Sequence, residues 1–182
     1  MLDNKELRLC HRLDRTTTGI LIVAKKKQSA KDITALFKAN KILKIYLTIV
    51  KGIPKQSSGN INTPLITNVV SGKEKISADK EGSIKALTGY EVLKKNKNIS
   101  LLRVLPKTGR KHQIRAHLQS IGVPILGDNK YSSINHQQKN VTRMHLHASS
   151  VKFKLYGTSH QIKADIPKPF KEILKLYGLD NN

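Results

Sequence analysis

A short basic segment near the beginning of the chain holds the residue types best suited to chemistry. It reads His11, Arg12, Leu13, Asp14 and Arg15, so one carboxylate lies among two guanidinium groups and an imidazole. Nearby positive charge favours the ionised form of a carboxylate, which can then act as a nucleophile or as an electrostatic stabiliser. Taken alone, these five residues also fit a surface cluster of ion pairs, which is the commoner arrangement in a basic protein.

A second basic segment coincides with a helix predicted over residues 110–121. Three apolar residues recur at helical spacing: Ile114, Leu118 and Ile121. Four polar residues fall on the opposite face: Lys111, His112, Arg115 and Gln119. We expect Thr108 to cap this helix and Gly122 to end it.

The start of this helix is a favourable place for a phosphate, because Gly109 leaves backbone amides accessible there. Arg115 lies next to the apolar stripe, from where it could reach a carboxylate such as Asp14 with two hydrogen bonds. For any one of these residues, a solvated helix face is the alternative interpretation.

Apolar periodicity predicts the elements that must position these side chains. Residues 19–25 are apolar on both faces and predict a central strand that is buried on each side. A helix is predicted over residues 28–40, with Ser29 as its cap. In the strand predicted over residues 42–51, Tyr46 lies on the face opposite the apolar residues, towards a cleft or solvent.

The rest of the chain is predicted to consist of strands joined by hairpins. Residues 56–60 and the segment from Ser71 to Lys80 are expected to be peripheral loops, the second of them hairpin-like. Four further strands are predicted, the first two as a pair: 86–94, 99–105, 144–153 and 160–164. A last helix is predicted from Pro167 to Leu176. This succession predicts an α+β fold, with a mixed, largely antiparallel sheet and flanking helices.

The composition is strongly basic, with 34 Lys and Arg against 12 Asp and Glu in 182 residues, a net charge of +22. A charge of this size predicts a polyanionic partner. RNA or DNA is favoured over a membrane, because no basic amphipathic helix with a broad apolar face stands out. A lysine-rich surface that binds no ligand is the alternative.

Cysteine and histidine usage limits the remaining classes. The single cysteine, Cys10, rules out an internal disulfide and fits a reducing compartment. No signal peptide or span of about 20 apolar residues is recognisable, so a soluble, cytoplasmic protein is expected. His145 and His147 share a strand face without a third ligand nearby, so no metal site is predicted. Asp128 and Asp165 are expected to be turn or strand-end residues.

Five blocks of sequence together resemble the RluA-type pseudouridine synthases. In order they are residues 11–19 (His-Arg-Leu-Asp-Arg, then Thr-Gly), 44–47 (Lys-Ile-Tyr-Leu), 108–115 (Thr-Gly-Arg-Lys-His-Gln-Ile-Arg), 124–128 (Pro-Ile-Leu-Gly-Asp) and 146–148 (Leu-His-Ala). Their order and spacing are specific, and the closing stretch 151–179 is most similar to the branch that modifies large-subunit ribosomal RNA.

The resemblance implies an enzyme that isomerises uridine to pseudouridine in folded RNA, without a metal or cofactor. It implies that Asp14 is the nucleophile, while attack on the ribose, attack on the uracil ring and a glycal route stay open. Tyr46 would lie near the uracil as a base or proton relay, and Arg115 would keep Asp14 oriented and ionised. The remaining matched residues would bind RNA around the extruded nucleotide: His11, Arg12, Arg15, Arg110, Lys111, His112 and Gln113.

The resemblance is incomplete at the beginning of the chain. Family members normally have strands before the catalytic loop, with an Asn-Lys-Pro-x-Gly segment, and many also have an S4-like RNA-binding domain. Residues 1–182 are therefore expected to be a catalytic domain without these leading strands and without an S4-like domain, which would expose sheet edges and apolar surface. The alternative function is that of a basic RNA-binding remnant that does not catalyse the reaction.

Overall fold

The computed structural model describes residues 7–70, 72–132, 141 and 143–180, and these residues form eleven strands and three helices. The strands β1 to β11 are, in chain order, Arg8–Leu9, Thr18–Gly19, Val23–Ala24, Leu43–Lys51, Ser58–Ile61, Leu65–Val70, Lys73–Ala78, Thr88–Asn96, Ile99–Pro106, Leu146–Leu155 and Thr158–Lys163. The helices α1 to α3 are Lys27–Lys38, Gln113–Ser120 and Lys168–Leu176. Over the described part of the chain, no helix is long and apolar enough to cross a membrane.

The main sheet is the frame on which the other elements pack. Its strands follow the order β11-β10-β4-β9-β8-β5 with antiparallel neighbours, and β2 adds a short parallel pair to β10. Strands β6 and β7 form a separate antiparallel hairpin. The α+β fold with a mixed, largely antiparallel sheet that the sequence predicts is therefore confirmed.

Strand β4 lies inside the sheet and contributes to two hydrophobic clusters. Ile49 packs in one cluster with Phe170 of α3, and Val50 packs in another with Leu118 of α2. Tyr46 shares the face of Val50, as the predicted alternation requires, and it packs at the margin of the same cluster. At Lys44 and Tyr46 this face lines a cleft, as the sequence predicts for Tyr46. Nearer the end of the strand both faces are apolar, because Ile49 and Val50 pack in the two clusters.

The prediction of a central strand over residues 19–25 is wrong. Within it only Gly19, the last residue of β2, and the two residues of β3 are strand, and β3 pairs with β1 rather than with the main sheet. Gly19 has a φ of +108°, which turns the chain between the two short strands. Leu21 and Val23 are 46% and 44% exposed, whereas Ala24 is buried. A continuous apolar run predicts burial on both faces but does not indicate where the chain bends.

Helix α2 begins three residues later than the sequence predicts, and Thr108 does not cap it. The residue before the helix, His112, has a left-handed φ of +53°, which cannot continue a right-handed helix. The Thr108 hydroxyl and the backbone amide of Arg110 both donate to the side-chain oxygen of Gln113, at 2.7 and 3.0 Å. These two bonds hold residues 108–110 as a loop in front of the helix.

At the other helix ends, the predicted start of α3 and the glycine after α2 are confirmed, whereas the predicted cap of α1 is wrong. Ser29 lies inside the first turn of α1, and Lys26, which occupies the cap position, makes no side-chain capping bond. Gly122 follows α2 with a φ of +79°, as predicted, but Ile121 is 38% exposed and does not belong to the buried stripe. Helix α3 begins directly after Pro167, as the sequence predicts.

The peripheral segments contain more strand than the sequence predicts. Residues 56–60 overlap β5, which pairs with β8 at the edge of the main sheet. The hairpin predicted between Ser71 and Lys80 begins earlier, as β6 and β7, and Ser71 itself lies outside the described residues. The predicted pair over 86–94 and 99–105 is confirmed as β8 and β9, and the last two predicted strands are β10 and β11.

Gly19 allows the segment that carries Asp14 to approach β10 closely, and its replacement by Ala is expected to destabilise the fold by about 3 kcal/mol. Roughly 1–2 kcal/mol of this follows from the left-handed backbone, and the rest from a Cβ that would overlap the carbonyl of Ala148. Gly157→Ala is the matched control, because its φ is +82° and nothing lies within 4 Å of the added Cβ. Urea unfolding of both variants measures the difference, and equal losses would contradict the close approach.

Candidate active site

A cleft of about 420 Å³ opens where residues 10–17 meet β4 and the beginning of α2. This volume is in the range of small-ligand sites. Its walls carry charged and polar side chains, among them Asp14, Lys44, Tyr46, Arg110, His112 and Arg115. The three residues that the sequence predicts to be catalytic therefore line a single cleft, although they come from three separate segments of the chain.

Asp14 and Arg115 form the ion pair that the sequence predicts, but through one hydrogen bond rather than the expected two, because the other guanidinium donors bind Asp128. The Nη1 of Arg115 donates to the Oδ2 of Asp14 at 3.1 Å, and the two side chains are 10% and 19% exposed. A charge-assisted hydrogen bond is strengthened where water is largely excluded. The pair fixes one carboxylate oxygen and leaves the other, Oδ1, free of the guanidinium.

Asp128 holds the opposite side of the same guanidinium. The Nε and Nη2 of Arg115 donate to the two Asp128 oxygens at 2.7 and 2.9 Å, and Asp128 is 2% exposed. Its Oδ1 also accepts the backbone amides of Lys130 and Tyr131, at 3.1 and 3.3 Å. The sequence indicates a turn residue at Asp128 but not its ion pair, for which the carboxylate at the end of the 124–128 block is a usable signal.

Tyr46 enters the cleft from β4. Burial, together with the negative charge of Asp14, raises the pKa of its phenol to about 12. The side chain therefore keeps its proton at neutral pH. Of the two roles that the sequence suggests for Tyr46, a proton relay fits this state of the free protein, whereas a base would first have to lose its proton.

Lys44 is a charged residue on the Tyr46 face of β4, and no role was predicted for it from the sequence. Its side chain is buried, and its ammonium donates to the backbone carbonyl of Thr108 at 3.3 Å. Burial lowers its pKa. The period-two spacing from Tyr46 was a signal that could have placed Lys44 in the cleft.

The predicted RNA-binding residues beside Asp14 differ in their exposure. His11 is held inside the segment, since its Nε2 accepts the amide of Ile22 at 2.8 Å and its ring stacks on Phe37. Burial is the largest influence on His11 and lowers its pKa. A hydrogen bond with the backbone of Arg12 opposes this shift, and the charge of Lys44 adds to it. Arg12 lines the cleft, and both Arg12 and Arg15 are exposed. The two arginines remain available to a ligand, whereas the His11 ring lines the cleft but is held by Ile22 and by Phe37 of α1.

The predicted RNA-binding residues before α2 also have different surroundings. Arg110 is exposed at the cleft, and its Nε donates to a backbone carbonyl at 3.3 Å. Lys111 pairs with Glu74 of β7 at 2.5 Å, which directs its ammonium towards the β6–β7 hairpin. His112 is half-buried, with its Nε2 at 4.0 Å from the Oδ1 of Asp14.

Gln113 also lines the cleft, but its amide is held by contacts inside the protein. It is 3% exposed, and its amide nitrogen donates to Leu87 and Thr88 at 3.0 and 2.9 Å. Its oxygen accepts from Thr108 and Arg110, so all four hydrogen-bonding positions of the amide are used inside the protein. Gln113 therefore shapes the loop that carries Arg110, and its predicted contact with RNA stays a prediction.

Histidines on β10 and just before it are structural. The ring of His147 lies between the Thr18 hydroxyl at 3.0 Å and the Ala164 carbonyl at 3.4 Å. The Nδ1 of His145 lies 3.3 Å from the carbonyl of Leu126. Among the described residues, no three His, Cys, Asp or Glu side chains form a group that could hold a metal ion.

Comparison with known sequences identifies relatives along most of the chain. A sequence model of the RNA pseudouridylate synthase family matches residues 2–120. An uncharacterized RNA pseudouridine synthase of Zymomonas mobilis is 37% identical over 169 residues, which is 91% of this chain and 75% of that protein. The ribosomal large subunit pseudouridine synthase C of Buchnera aphidicola is 36% identical over 179 residues, covering 94% of this chain and 57% of that protein. The chain thus spans only slightly more than half of that relative.

Comparison with solved structures also identifies RNA pseudouridylate synthase domains as similar. The solved structure of human RNA pseudouridylate synthase domain containing 4 superposes with a TM-score of 0.82 at 28% identity, and the match covers 96% of this chain and 77% of that one. Sequence and structure therefore agree on the same group of proteins. Since the family model also covers well over half of the residues, the chain belongs to the RNA pseudouridylate synthase family.

Proposed function

We propose that the chain isomerises specific uridines to pseudouridine in structured RNA, with Asp14 as the nucleophile, and that large-subunit ribosomal RNA is its substrate. The observation that carries the proposal is the pairing of Asp14 with Arg115 at 3.1 Å in the cleft. Family membership supplies the class of reaction. The pair supplies an oriented carboxylate whose second oxygen is available for attack.

The reaction exchanges one bond of the uracil for another. The bond between N1 and C1′ breaks and a bond between C5 and C1′ forms, while C5 loses a proton and N1 gains one. No electrons are gained or lost overall, so no oxidant or reductant is needed. Asp14 attacks the ribose or the uracil ring and leaves again, or it stabilises a glycal route without forming a bond.

Tyr46 is suited to moving the proton. Its pKa of about 12 means that the phenol begins the reaction protonated. It can give this proton to N1 as the old bond breaks and take the proton from C5 after the new bond has formed. This sequence of steps returns Tyr46 to its initial state, and an acid–base group of this kind contributes about 10²–10⁴-fold to a rate.

RNA binding is supported by the charge around the cleft. A uridine inside a helix must leave its stack before Asp14 can reach it, at a cost of a few kcal/mol. Arg12 and Arg110 are exposed at the cleft and can offset that cost by binding the flanking phosphates. The net charge of +22 favours a polyanion over a free nucleoside as the substrate.

Ribosomal RNA is the substrate that the names of several relatives suggest. Besides the Buchnera protein, the ribosomal large subunit pseudouridine synthase D of Borreliella burgdorferi is 35% identical over 163 residues, 89% of this chain and 49% of that protein. Incubating the chain with unmodified large-subunit RNA, small-subunit RNA and transfer RNA, followed by nucleoside chromatography, tests the choice. The proposal predicts pseudouridine in large-subunit RNA alone. Tight binding without any pseudouridine would instead favour the non-catalytic RNA-binding remnant.

Replacing Arg110 with Ala is expected to weaken binding to all RNAs and to make the dependence of log K on log salt shallower by about 1, the effect of losing one phosphate contact. Lys55→Ala is the matched control, because Lys55 is exposed and follows the end of β4, whereas Lys44 and Tyr46 lie near its beginning. Filter binding over a salt series measures both slopes. An unchanged slope for the Arg110 variant would remove this residue from the phosphate contacts.

A further inference from the structure

The Tyr131 hydroxyl lies between a backbone amide of the β6–β7 hairpin and the imidazole of His112. The amide of Ile76 in β7 donates to the hydroxyl at 3.2 Å, and the Nδ1 of His112 lies 2.9 Å from it. Tyr131 is 3% exposed, and its ring also packs against the guanidinium of Arg115, 4.8 Å from ring centre to Cζ. These contacts enclose the hydroxyl within the protein.

The proton on the Tyr131 hydroxyl determines which nitrogen of His112 carries a hydrogen. The Ile76 amide is a donor only, so the hydroxyl accepts that bond and keeps its own proton to donate. The described contacts give this proton one acceptor, the Nδ1 of His112. An Nδ1–H form of His112 would leave the tyrosine proton without that acceptor, whereas an Nε2–H form satisfies both groups.

The other side of the imidazole supports the same form. The Nε2 of His112 lies 4.0 Å from the Oδ1 of Asp14, the oxygen that Arg115 does not bind. An N–H facing a carboxylate is attractive, whereas a nitrogen lone pair in the same place is repulsive. The distance is longer than a hydrogen bond, as is common for catalytic contacts before substrate binds.

We infer that Tyr131 fixes His112 as the neutral Nε2–H tautomer, and that this N–H acts with Arg115 to orient the Asp14 carboxylate. His112 is thus a positioning residue rather than only a contact for RNA. The tautomer itself follows from the hydrogen bonds, and the effect on catalysis rests on the function proposed above. The inference also makes the β6–β7 hairpin part of the site, because its Ile76 amide sets the direction of the Tyr131 hydroxyl.

A neutral imidazole suits this role better than an imidazolium. An imidazolium would form a full ion pair with Asp14 and make the carboxylate a weaker nucleophile. Burial is the largest influence on His112 and lowers its pKa, and the charge of Arg115 acts in the same direction, against the opposite effect of Asp14. The other titratable groups that act on His112 or contact it are Lys111, Lys130 and Tyr131, and Lys111 pairs with Glu74.

Nitrogen NMR of protein labelled with ¹⁵N in its histidine rings tests the tautomer without any reference to activity. The His112 signals are assigned as those that disappear in His112→Gln. The inference predicts a protonated Nε2 and an unprotonated Nδ1 in the wild-type protein at pH 7.5, and a mixture of both tautomers in Tyr131→Phe. A protonated Nδ1 in the wild type, or an unchanged pattern in Tyr131→Phe, would overturn it.

Turnover kinetics with an RNA in which the wild-type chain forms pseudouridine test the positioning role of His112. We expect Tyr131→Phe to lower kcat by roughly tenfold with little change in KM, because a misdirected carboxylate reacts slowly although RNA still binds. Tyr156→Phe is the matched control, since it loses an exposed bond to Asp32 at 2.6 Å elsewhere in the protein. His112→Gln, which keeps an N–H near the position of Nε2, should retain more activity than His112→Leu. Equal kcat values for Tyr131→Phe and wild type would overturn the positioning role, and an inactive wild-type chain would refute the proposed function while leaving the tautomer test intact.

Discussion

Replacing Asp14 with Asn is expected to abolish pseudouridine formation and to leave RNA affinity nearly unchanged. The amide has the shape of the carboxylate, and its oxygen can still accept the Arg115 hydrogen bond seen at 3.1 Å. It is not a nucleophile, however, so the rate should fall by on the order of 10⁴-fold or more, as when other covalent nucleophiles are removed. Nucleoside chromatography and filter binding on the same RNA separate the loss of turnover from any loss of binding.

Asp165→Asn is the matched control for this change, because it removes the same charge from an exposed position outside the lining of the cleft. It should alter neither turnover nor affinity measurably. Substantial residual turnover in the Asp14 variant would refute the assignment of the nucleophile. A large loss of affinity in that variant would instead give Asp14 a role in holding the RNA.

Replacing Asp128 with Asn is expected to lower the free energy of unfolding by about 3 kcal/mol, which is typical when one partner of a buried ion pair is removed. Arg115 is 8% exposed and now donates to both Asp128 oxygens, at 2.7 and 2.9 Å. In the variant, one guanidinium N–H would face an amide nitrogen, which offers no acceptor. The activity should fall as well, because Arg115 would lose the anchor that directs its Nη1 to Asp14.

The control for this variant is Asp79→Asn, which changes an exposed carboxylate that accepts a turn amide, from Glu81 at 2.9 Å, and that forms no ion pair with the described residues. It separates the loss of a carboxylate charge at a turn from the loss of the Arg115 anchor. Urea unfolding gives the stability of both variants, and kcat on the same RNA gives the catalytic effect. Wild-type stability and kcat in the Asp128 variant would show that Arg115 is held by Asp14 and packing alone.

The parts of the fold that the sequence predicts well depend on local patterns. The β8–β9 hairpin follows from two apolar strands around a polar turn, and α3 follows from a proline before an amphipathic segment. In both cases the residues that decide the outcome are close in sequence. The contact between Asp14 and Arg115 joins distant segments, and its prediction depended on the resemblance to a known family together with the position of the arginine beside the apolar stripe of its helix.

The features that the sequence did not predict depend on distant contacts. The chain bends at Gly19 because β10 lies against it, and β10 is more than a hundred residues away in sequence. The start of α2 is delayed because the Gln113 side chain, which donates to the distant Leu87 and Thr88, also accepts the hydrogen bonds of the preceding loop. The ion pair of Asp128 was missed for a similar reason: its helix partner could be found only after the turn had been placed beside α2.

Tritium release from large-subunit ribosomal RNA labelled at C5 of uridine tests the central claim most directly, because the proposed reaction removes the C5 proton. Wild-type chain, Asp14→Asn and Asp165→Asn are compared at the same RNA and protein concentrations. The account predicts steady release by the wild type and by Asp165→Asn, and none above background by Asp14→Asn. Equal release by Asp14→Asn, or no release by a folded wild-type chain that binds the RNA, would contradict it.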